Sequence, residues 1–264
     1  MVPLPKPVRL SLPQVTLCAV TSVNVAATLR ALESCIAQIE FASCKLFTHA
    51  AVEQSVHPAI QIVPIRQLTS SLAYSDYMLN SLIDHVETSH CLVVQWDGHV
   101  ISADKWRWDF LDYDYIGASW PQFPDGHDVG NGGFSLRSSR LMRACRSEGF
   151  IPRHPEDIAI GRLNRTWLEQ RGMRFAPRAL ADIFSTERAG AITASFGYHG
   201  VWNMPEAIGI EGFWQRYRHL DERSTIWTDY FNLIRQVARG SHPVWRGFRM
   251  TVDRLFDALI KPIR

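Results

Sequence analysis

Four short stretches of this 264-residue chain carry residue types that do chemistry. The first is Gln95-Trp96-Asp97-Gly98, which closes the apolar run Cys91-Leu92-Val93-Val94. A parallel sheet delivers residues in that position to the edge where ligands bind. A hard divalent cation such as Mg²⁺ or Mn²⁺ takes oxygen ligands and commonly keeps one or two protein carboxylates beside substrate phosphates. Asp97, with Gly98 leaving room for close approach, suits that task. Asp-Gly is also a strong turn signal, so the pair alone leaves ligand and turn both open. The second stretch is Gly130-Asn131-Gly132-Gly133, whose glycines permit conformations that turn backbone N–H groups toward a phosphate or a sugar hydroxyl. It has neither GxGxxG spacing nor the Lys-Ser/Thr of a P-loop, and a tight turn into a strand is the plainer alternative. The third is Glu156-Asp157, a carboxylate pair that could take a proton from a hydroxyl. Acids in a first helical turn also stabilise the helix dipole by ~0.3–1 kcal/mol with no chemistry at all. The fourth is His199, between Tyr198 and Gly200, an imidazole able to complete a metal shell or to serve as an ordinary loop residue.

These residues need elements to position them. Val15 to Val20 is the first candidate strand, and Val25 to Ile39 shows apolar residues at helical spacing. The intervening Thr21-Ser22-Val23-Asn24 lies where an α/β site presents hydroxyls and helix N–H groups to a nucleotide, while Ser22 or Asn24 capping the helix is the simpler reading. Lys45 to Thr48 and Ile60 to Ile65 are further strands, Ser75 to Val86 a helix with Asp76 in its first turn, and Cys91 to Gln95 a fourth strand. This alternation predicts an α/β fold with a mainly parallel sheet. Beyond Asp97 the pattern loosens. Short strands are expected at Tyr115 to Ala118, Gly133 to Leu136 and Ala194 to His199. Helices are expected from Ser138 or Ser139 through Cys145, and from Pro155, as the first helical residue, to about Gln170. Residues 206–264 read as mostly helical, with breaks near Gly240 and Pro243. The division is a Pro-rich lead-in over 1–13, a domain over 14–205 and a helical extension over 206–264.

Composition excludes several classes. With 46% hydrophobic residues and a net charge of +2, the chain has core material and no polyanion-binding signature, and no nucleic-acid motif stands out. No GxSxG, HExxH or zinc-finger pattern occurs. Five cysteines without CxxC spacing read as reduced core thiols of a cytoplasmic protein. The N-terminus does not read as a signal peptide, and no apolar run is long enough to span a membrane. Residues 235–264 hold seven Lys/Arg (235, 239, 246, 249, 254, 261, 264) against two acids, Asp253 and Asp257. Their interleaving with Trp245, Phe248, Leu255 and Phe256 fits peripheral contact of 240–264 with an anionic membrane surface, or a helix packed on the domain.

The order of these pieces resembles a glycosyltransferase-like family, long labelled a domain of unknown function, whose members look like GT-A nucleotide-sugar transferases. The residues that carry it are Val15–Asn24, Gln95-Trp-Asp-Gly98, Asp112–Ala118, Val129-Gly-Asn-Gly-Gly-Phe-Ser-Leu-Arg-Ser138, Pro155-Glu-Asp157 and Phe196–Asn203. The resemblance implies a GT-A-like (Rossmann-like) fold and transfer of a sugar from a nucleotide-diphosphate donor to a hydroxyl acceptor, with inversion. The acceptor would be a saccharide or a lipid-linked sugar, as in surface polysaccharide or glycolipid synthesis, at the inner face of a membrane. It implies Asp97 and His199 as ligands of Mn²⁺ or Mg²⁺, and Asp157 or Glu156 as the base. Thr21, Ser22, Asn24, Gln95, Asp97, Gly98, Asn131, Gly132 and Gly133 would lie against the donor. Where the GT-A pattern has two acids as DxD, this chain has Gln95-x-Asp97. That departure favours a second reading, a non-catalytic nucleotide-sugar or carbohydrate-binding module.

Overall fold

The computed structural model describes residues 9–52 and 56–260. Eleven strands run β1 (Leu10–Val20), β2 (Ile39–Thr48), β3 (Ile60–Pro64), β4 (His90–Val94), β5 (His99–Val100), β6 (Tyr115–Ile116), β7 (Ala118–Ser119), β8 (Val129–Gly130), β9 (Phe134–Ser138), β10 (Ser185–Thr186) and β11 (Gly197–Tyr198). The central sheet has six strands in the order β3-β2-β1-β4-β9-β6. β3, β2, β1 and β4 are parallel, whereas β9 is antiparallel to both β4 and β6. The fold is therefore a mixed α/β fold with a mostly parallel sheet. β4 is buried along its whole length, as its unbroken apolar run requires of a strand covered on both faces.

The chain leaves β1 to form β2 on one side and later returns to form β4 on the other, so the carboxyl ends of β1 and β4 flank a topological switch point. Thr21–Asn24 and Gln95–Gly98 both emerge at that edge. The helix Val25–Ile36 buries Ala27, Thr28, Ala31, Leu32, Cys35 and Ile36, the i, i+4, i+8 face read from the sequence. It stops three residues short of Ile39, which opens β2. A three-stranded sheet, β10-β11-β5, sits beside the switch point, with β11 antiparallel to β5 and parallel to β10.

Several boundaries differ from the sequence reading. Of the lead-in, residues 1–8 lie outside the described residues, and 10–13 belong to β1, because Leu12 is fully buried opposite Phe41. The register shift between Leu12 and Thr16 accommodates Pro13, which has no N–H for the ladder. β2 starts six residues earlier than expected. The second helix is Ser71–Asn80, capped by Ser70, whose hydroxyl accepts the Ala73 N–H. A 3₁₀ turn, Leu82–His85, follows it. Pro155 is the cap residue and not the first helical one. The segment behind it runs as α-helix Glu156–Ile158, a π turn Ala159–Leu163 and α-helix Arg165–Glu169. The late strand is only Gly197–Tyr198.

The C-terminal extension is helical, with breaks near Gly240. It shares an apolar cluster with the sheet edge: Ala27, Trp96 and Tyr198 pack with Phe213, Trp214 and Tyr217. All five cysteines are buried and unpaired. Among the described residues no helix is long and apolar enough to cross a membrane.

Candidate active site

Strand register brings the first two motifs together. Val94 at the end of β4 pairs with Phe134 at the start of β9. The next residues beyond the sheet are therefore Gln95 on one strand and Gly133 on the other. Gln95 to Gly98 is a turn, closed by the Gly98 N–H donating to the Gln95 carbonyl at 3.1 Å, and it leads directly into β5. The turn and ligand readings of Asp97-Gly98 are thus not alternatives, because the turn presents the carboxylate. β5 pairs His99 with Tyr198, which places His199 against Gly98. A Cβ on Gly98 would come 3.1 Å from His199 Cδ2, and one on Gly133 only 2.0 Å from His199 Nε2. Only glycine lets the two loops close on the imidazole.

His199 is held from both sides. Nδ1 lies 3.2 Å from Glu187 Oε1, and Nε2 lies 3.2 Å from Gln95 Oε1 and 3.5 Å from Asp97 Oδ1. Gln95 is oriented in turn by donating through Nε2 to the Tyr74 hydroxyl at 2.9 Å. Burial works against charge on the imidazole, but Asp97 and Glu187 outweigh it and raise its pKa to about 10. In the protein alone, His199 is an imidazolium between two carboxylates. Asp97 is buried, and its Oδ1 has no hydrogen-bond partner, a costly state for a buried carboxylate oxygen.

At its other end the glycine loop meets the acidic pair. Asn131 sits in the left-handed region (φ 74°), and its side chain accepts the Gly133 N–H at 2.9 Å while Nδ2 stays buried without a partner. The Gly132 N–H donates to Asp157 Oδ2 at 3.1 Å. The two carboxylates have different roles. Glu156 is buried and ion-paired at 3.1 Å with Arg137, itself 1% exposed, and accepts from Ser75 Oγ at 3.3 Å. Arg137 also donates to the Gly132 carbonyl and, through Nε, to Ser135 Oγ. Glu156 therefore neutralises a buried guanidinium that in turn holds the loop. Asp157 has no cationic partner. Burial first, and the charge of Glu156 second, push its pKa up to about 6 against the N–H groups of Ile158 and Gly132.

In the first turn of the fold the side chains of Thr21, Ser22 and Asn24 all bond to backbone groups. The Thr21 hydroxyl bonds within its own turn, to the Val23 carbonyl. Ser22 Oγ accepts the Leu68 N–H at 2.8 Å. Asn24 caps the helix by position but without a side-chain bond. Its Oδ1 accepts from Asp221 and Glu222 N–H at 3.1 and 3.0 Å, and its Nδ2 donates to the Glu222 carbonyl at 2.7 Å. Its left-handed φ of 52° suits Asn, which tolerates that region. Asn24 ties the C-terminal extension to the switch point.

Among the described residues no three His, Cys, Asp or Glu side chains gather closely enough to hold a metal ion. Asp97 and His199 form a pair of donors, and the Gln95 amide oxygen is the third group reaching the same point. The orphaned Asp97 Oδ1 fits a hard cation with few protein ligands, which would displace the proton from His199. Glu187, which orients His199, also borders a cleft of about 420 Å³ together with Arg188, Trp202 and Asn203. Glu187, Arg137, Ser75 and Tyr74 were not identified from the sequence. Of these only Arg137 carries a signal, as a charged residue inside an apolar strand segment that needs a buried partner.

Residues 58–199 match the family described as "Protein of unknown function (DUF5672)". That is more than half of the chain, and the chain belongs to this family. No curated protein matches it. Two solved structures are similar in overall course. A mannosyltransferase from Pyrobaculum calidifontis, PcManGT, determined in complex with GDP-Man and Mn²⁺, is 12% identical over 98% of this chain and 80% of its own, with a TM-score of 0.42. The glycosyltransferase GlyE of Streptococcus pneumoniae TIGR4 is 11% identical over 61% of this chain and 44% of its own, with a TM-score of 0.38.

Proposed function

We propose that this site is that of a nucleotide-sugar-dependent glycosyltransferase of GT-A type, inverting and assisted by Mn²⁺ or Mg²⁺. One observation carries the reading. A single glycine loop links the Asp97–His199 pair, in which the buried Asp97 Oδ1 accepts no hydrogen bond and lies 3.5 Å from His199 Nε2, to Asp157, a carboxylate of raised pKa, so a group suited to a cation and a group suited to a proton flank one loop. Asp97, His199 and the Gln95 amide oxygen would hold the ion, which when bound neutralises charge developing on a diphosphate leaving group. The chain's own groups do the rest. The buried Asn131 Nδ2 is free to donate to a donor oxygen. The Gly132 N–H, bonded to Asp157 Oδ2, fixes the carboxylate's orientation, and the Arg137–Glu156 pair fixes the loop. An acceptor hydroxyl set against Asp157 passes its proton to the carboxylate as the new glycosidic bond forms on the face opposite the departing diphosphate. A base with a pKa near 6 is ionised at neutral pH while remaining basic enough to accept that proton.

The second reading, a nucleotide-sugar- or carbohydrate-binding module, rests on His199 being held as an imidazolium, which fills the place of a cation. Both are tested by donor hydrolysis and sugar transfer with Mn²⁺, over a panel of nucleotide sugars, in the parent protein and in Asp97→Ala and Asp157→Ala. General-base loss is expected to lower turnover by roughly 10²–10⁴-fold, and Asp97→Ala to abolish the response to Mn²⁺. If both variants match the parent, the assignment is wrong. A donor that raises the melting temperature of the parent protein without turnover under any condition selects the binding module.

A further inference from the structure

The helix Pro243–Ile260 is docked with its polar side inward. Met250 on that inward side is fully buried, and around it Arg246 grips Glu211 through two nitrogens, at 2.8 and 2.5 Å. Asp253 accepts from the Tyr217 hydroxyl at 2.8 Å, and Asp257 from Trp227 Nε1 at 3.0 Å. Val244, Phe248, Val252, Leu255, Phe256 and Leu259 stand in solvent, from 42% exposed at Val252 to 85% at Val244. Residues advance by about 100° each around a helix, so these six fall within one arc of roughly 120°, on the side away from Met250, Asp253 and Asp257. Trp245 lies in the same arc and leans on Trp214 by its edge. An ordinary surface helix shows the reverse arrangement.

The charges around this face are sorted by sign. Both acids of the segment from 235 onward, Asp253 and Asp257, are turned inward to the bonds just named. The neighbouring helix Tyr230–Val237 adds Phe231, 76% exposed, to the apolar surface. Exposed Arg235 lies one turn on from Phe231 in that helix, and exposed Arg239 follows just past its end. Arg254 lies over the rings of Tyr230 and Phe231, and Arg249, ion-paired at 3.0 Å with Asp253, flanks the stripe. An apolar strip with a cationic border complements a bilayer rich in anionic lipid: the rings and branched chains enter the acyl boundary and the arginines meet the headgroups. A second copy of the chain fits poorly, since a twofold pairing would set cationic border against cationic border.

We propose that the helix Pro243–Ile260, with Phe231, Arg235 and Arg239, is a peripheral docking surface for an anionic lipid bilayer, lying in its plane. This does not depend on the chemistry proposed for Asp97 and Asp157. The test is flotation of the full chain with phosphatidylcholine vesicles, with and without roughly one-third phosphatidylglycerol. A Phe248→Asp/Leu255→Asp double variant and an Arg235→Glu/Arg239→Glu double variant are run alongside, with fold checked by melting temperature, and oligomeric state is measured by light scattering. The parent should float with the anionic vesicles. Binding should weaken at about 0.5 M NaCl, where charge is screened beyond a few ångströms. The Phe248/Leu255 variant should reduce it by roughly tenfold or more, given what one apolar anchor contributes, and the arginine variant by roughly tenfold or more through the loss of two basic residues beside anionic lipid. No flotation with anionic vesicles, equal flotation of parent and variants, or equal binding to neutral vesicles each overturns the proposal. A parent dimer that the Phe248/Leu255 variant dissolves also overturns it, by giving the face to a second copy.

Discussion

Gly133→Ala tests whether the position of His199 matters. The new methyl would lie 2.0 Å from His199 Nε2, 2.3 Å from Cδ2 and 2.6 Å from Cε1, where ordinary contact begins at 3.4 Å. Loop or ring must yield by the difference, about 1.4 Å, and neither is loose, in line with the density of protein interiors. The ring is bonded at 3.2 Å on both nitrogens, and its backbone N–H donates to Thr186 at 3.0 Å. The loop is pinned by Arg137 and Asp157. Overpacking of this kind costs roughly 1–3 kcal/mol, which leaves a domain of this size folded. A shift of about 1 Å in a catalytic group costs on the order of 10²-fold in rate. The expected outcome is a folded protein, destabilised by about 2 kcal/mol in urea, whose turnover with Mn²⁺ falls by about two orders of magnitude. Gly247→Ala is the control. No atom lies within 4 Å of its Cβ position, so Ala in that exposed helix should stabilise by roughly 0.5–1 kcal/mol and leave turnover unchanged. Turnover of folded Gly133→Ala within about threefold of the parent would refute the placement of His199 in the reacting site.

Three further predictions come from Asp157 and Asn24. The rate kcat/KM should rise with pH through a midpoint near 6 as Asp157 ionises. Because its folded pKa lies above the unfolded value of 3.8, the contribution of Asp157 to stability is fully present below about pH 4 and lost as pH rises through about 6. The stability of Asp157→Asn relative to the parent should therefore grow between pH 4 and 7 in urea titrations, and a flat difference contradicts the raised pKa. Asn24→Ala should cost about 4 kcal/mol, from three side-chain hydrogen bonds of about 1 kcal/mol each and about 1 kcal/mol for a left-handed backbone that alanine resists. It should also speed proteolysis within residues 206–264, and a loss below about 1 kcal/mol would show the tie to be incidental.

The parallel half of the sheet was legible because β1 and β4 bury nearly continuous apolar runs, and because the half-covered edge strand β3 is rich in Ile and Val. β2 was read short because its first half, Ile39-Glu-Phe-Ala-Ser, alternates weakly where the strand is only partly covered. The approach of Gln95, Asp97, Gly133 and His199 was readable only as an order of motifs. Their contact depends on the register of β4 with β9 and of β5 with β11, which no local pattern encodes. Glu156 and Asp157 were indistinguishable as neighbours. Arg137 separates them, reaching Glu156 from a strand nineteen residues earlier in the chain. Thr21, Ser22 and Asn24 occupy the expected edge, yet their side chains serve the fold. Capping residues and ligand-binding residues share the same chemistry, so composition does not tell them apart.

The bonds of Asn24 also set an order on synthesis. They span 197 and 198 residues, so the turn after the first strand remains unfinished until residues 221 and 222 have left the ribosome. Until then Ala27 and Trp96 have no Phe213 or Trp214 to cover them, and a nascent chain in that condition exposes apolar surface at the very edge where the functional residues assemble. Closure of the edge beside the site is thereby coupled to the emergence of residues 221 and 222. A chain interrupted between residues 199 and 221 retains every residue of the Asp97–His199–Asp157 constellation but lacks the clasp that closes the edge beside it.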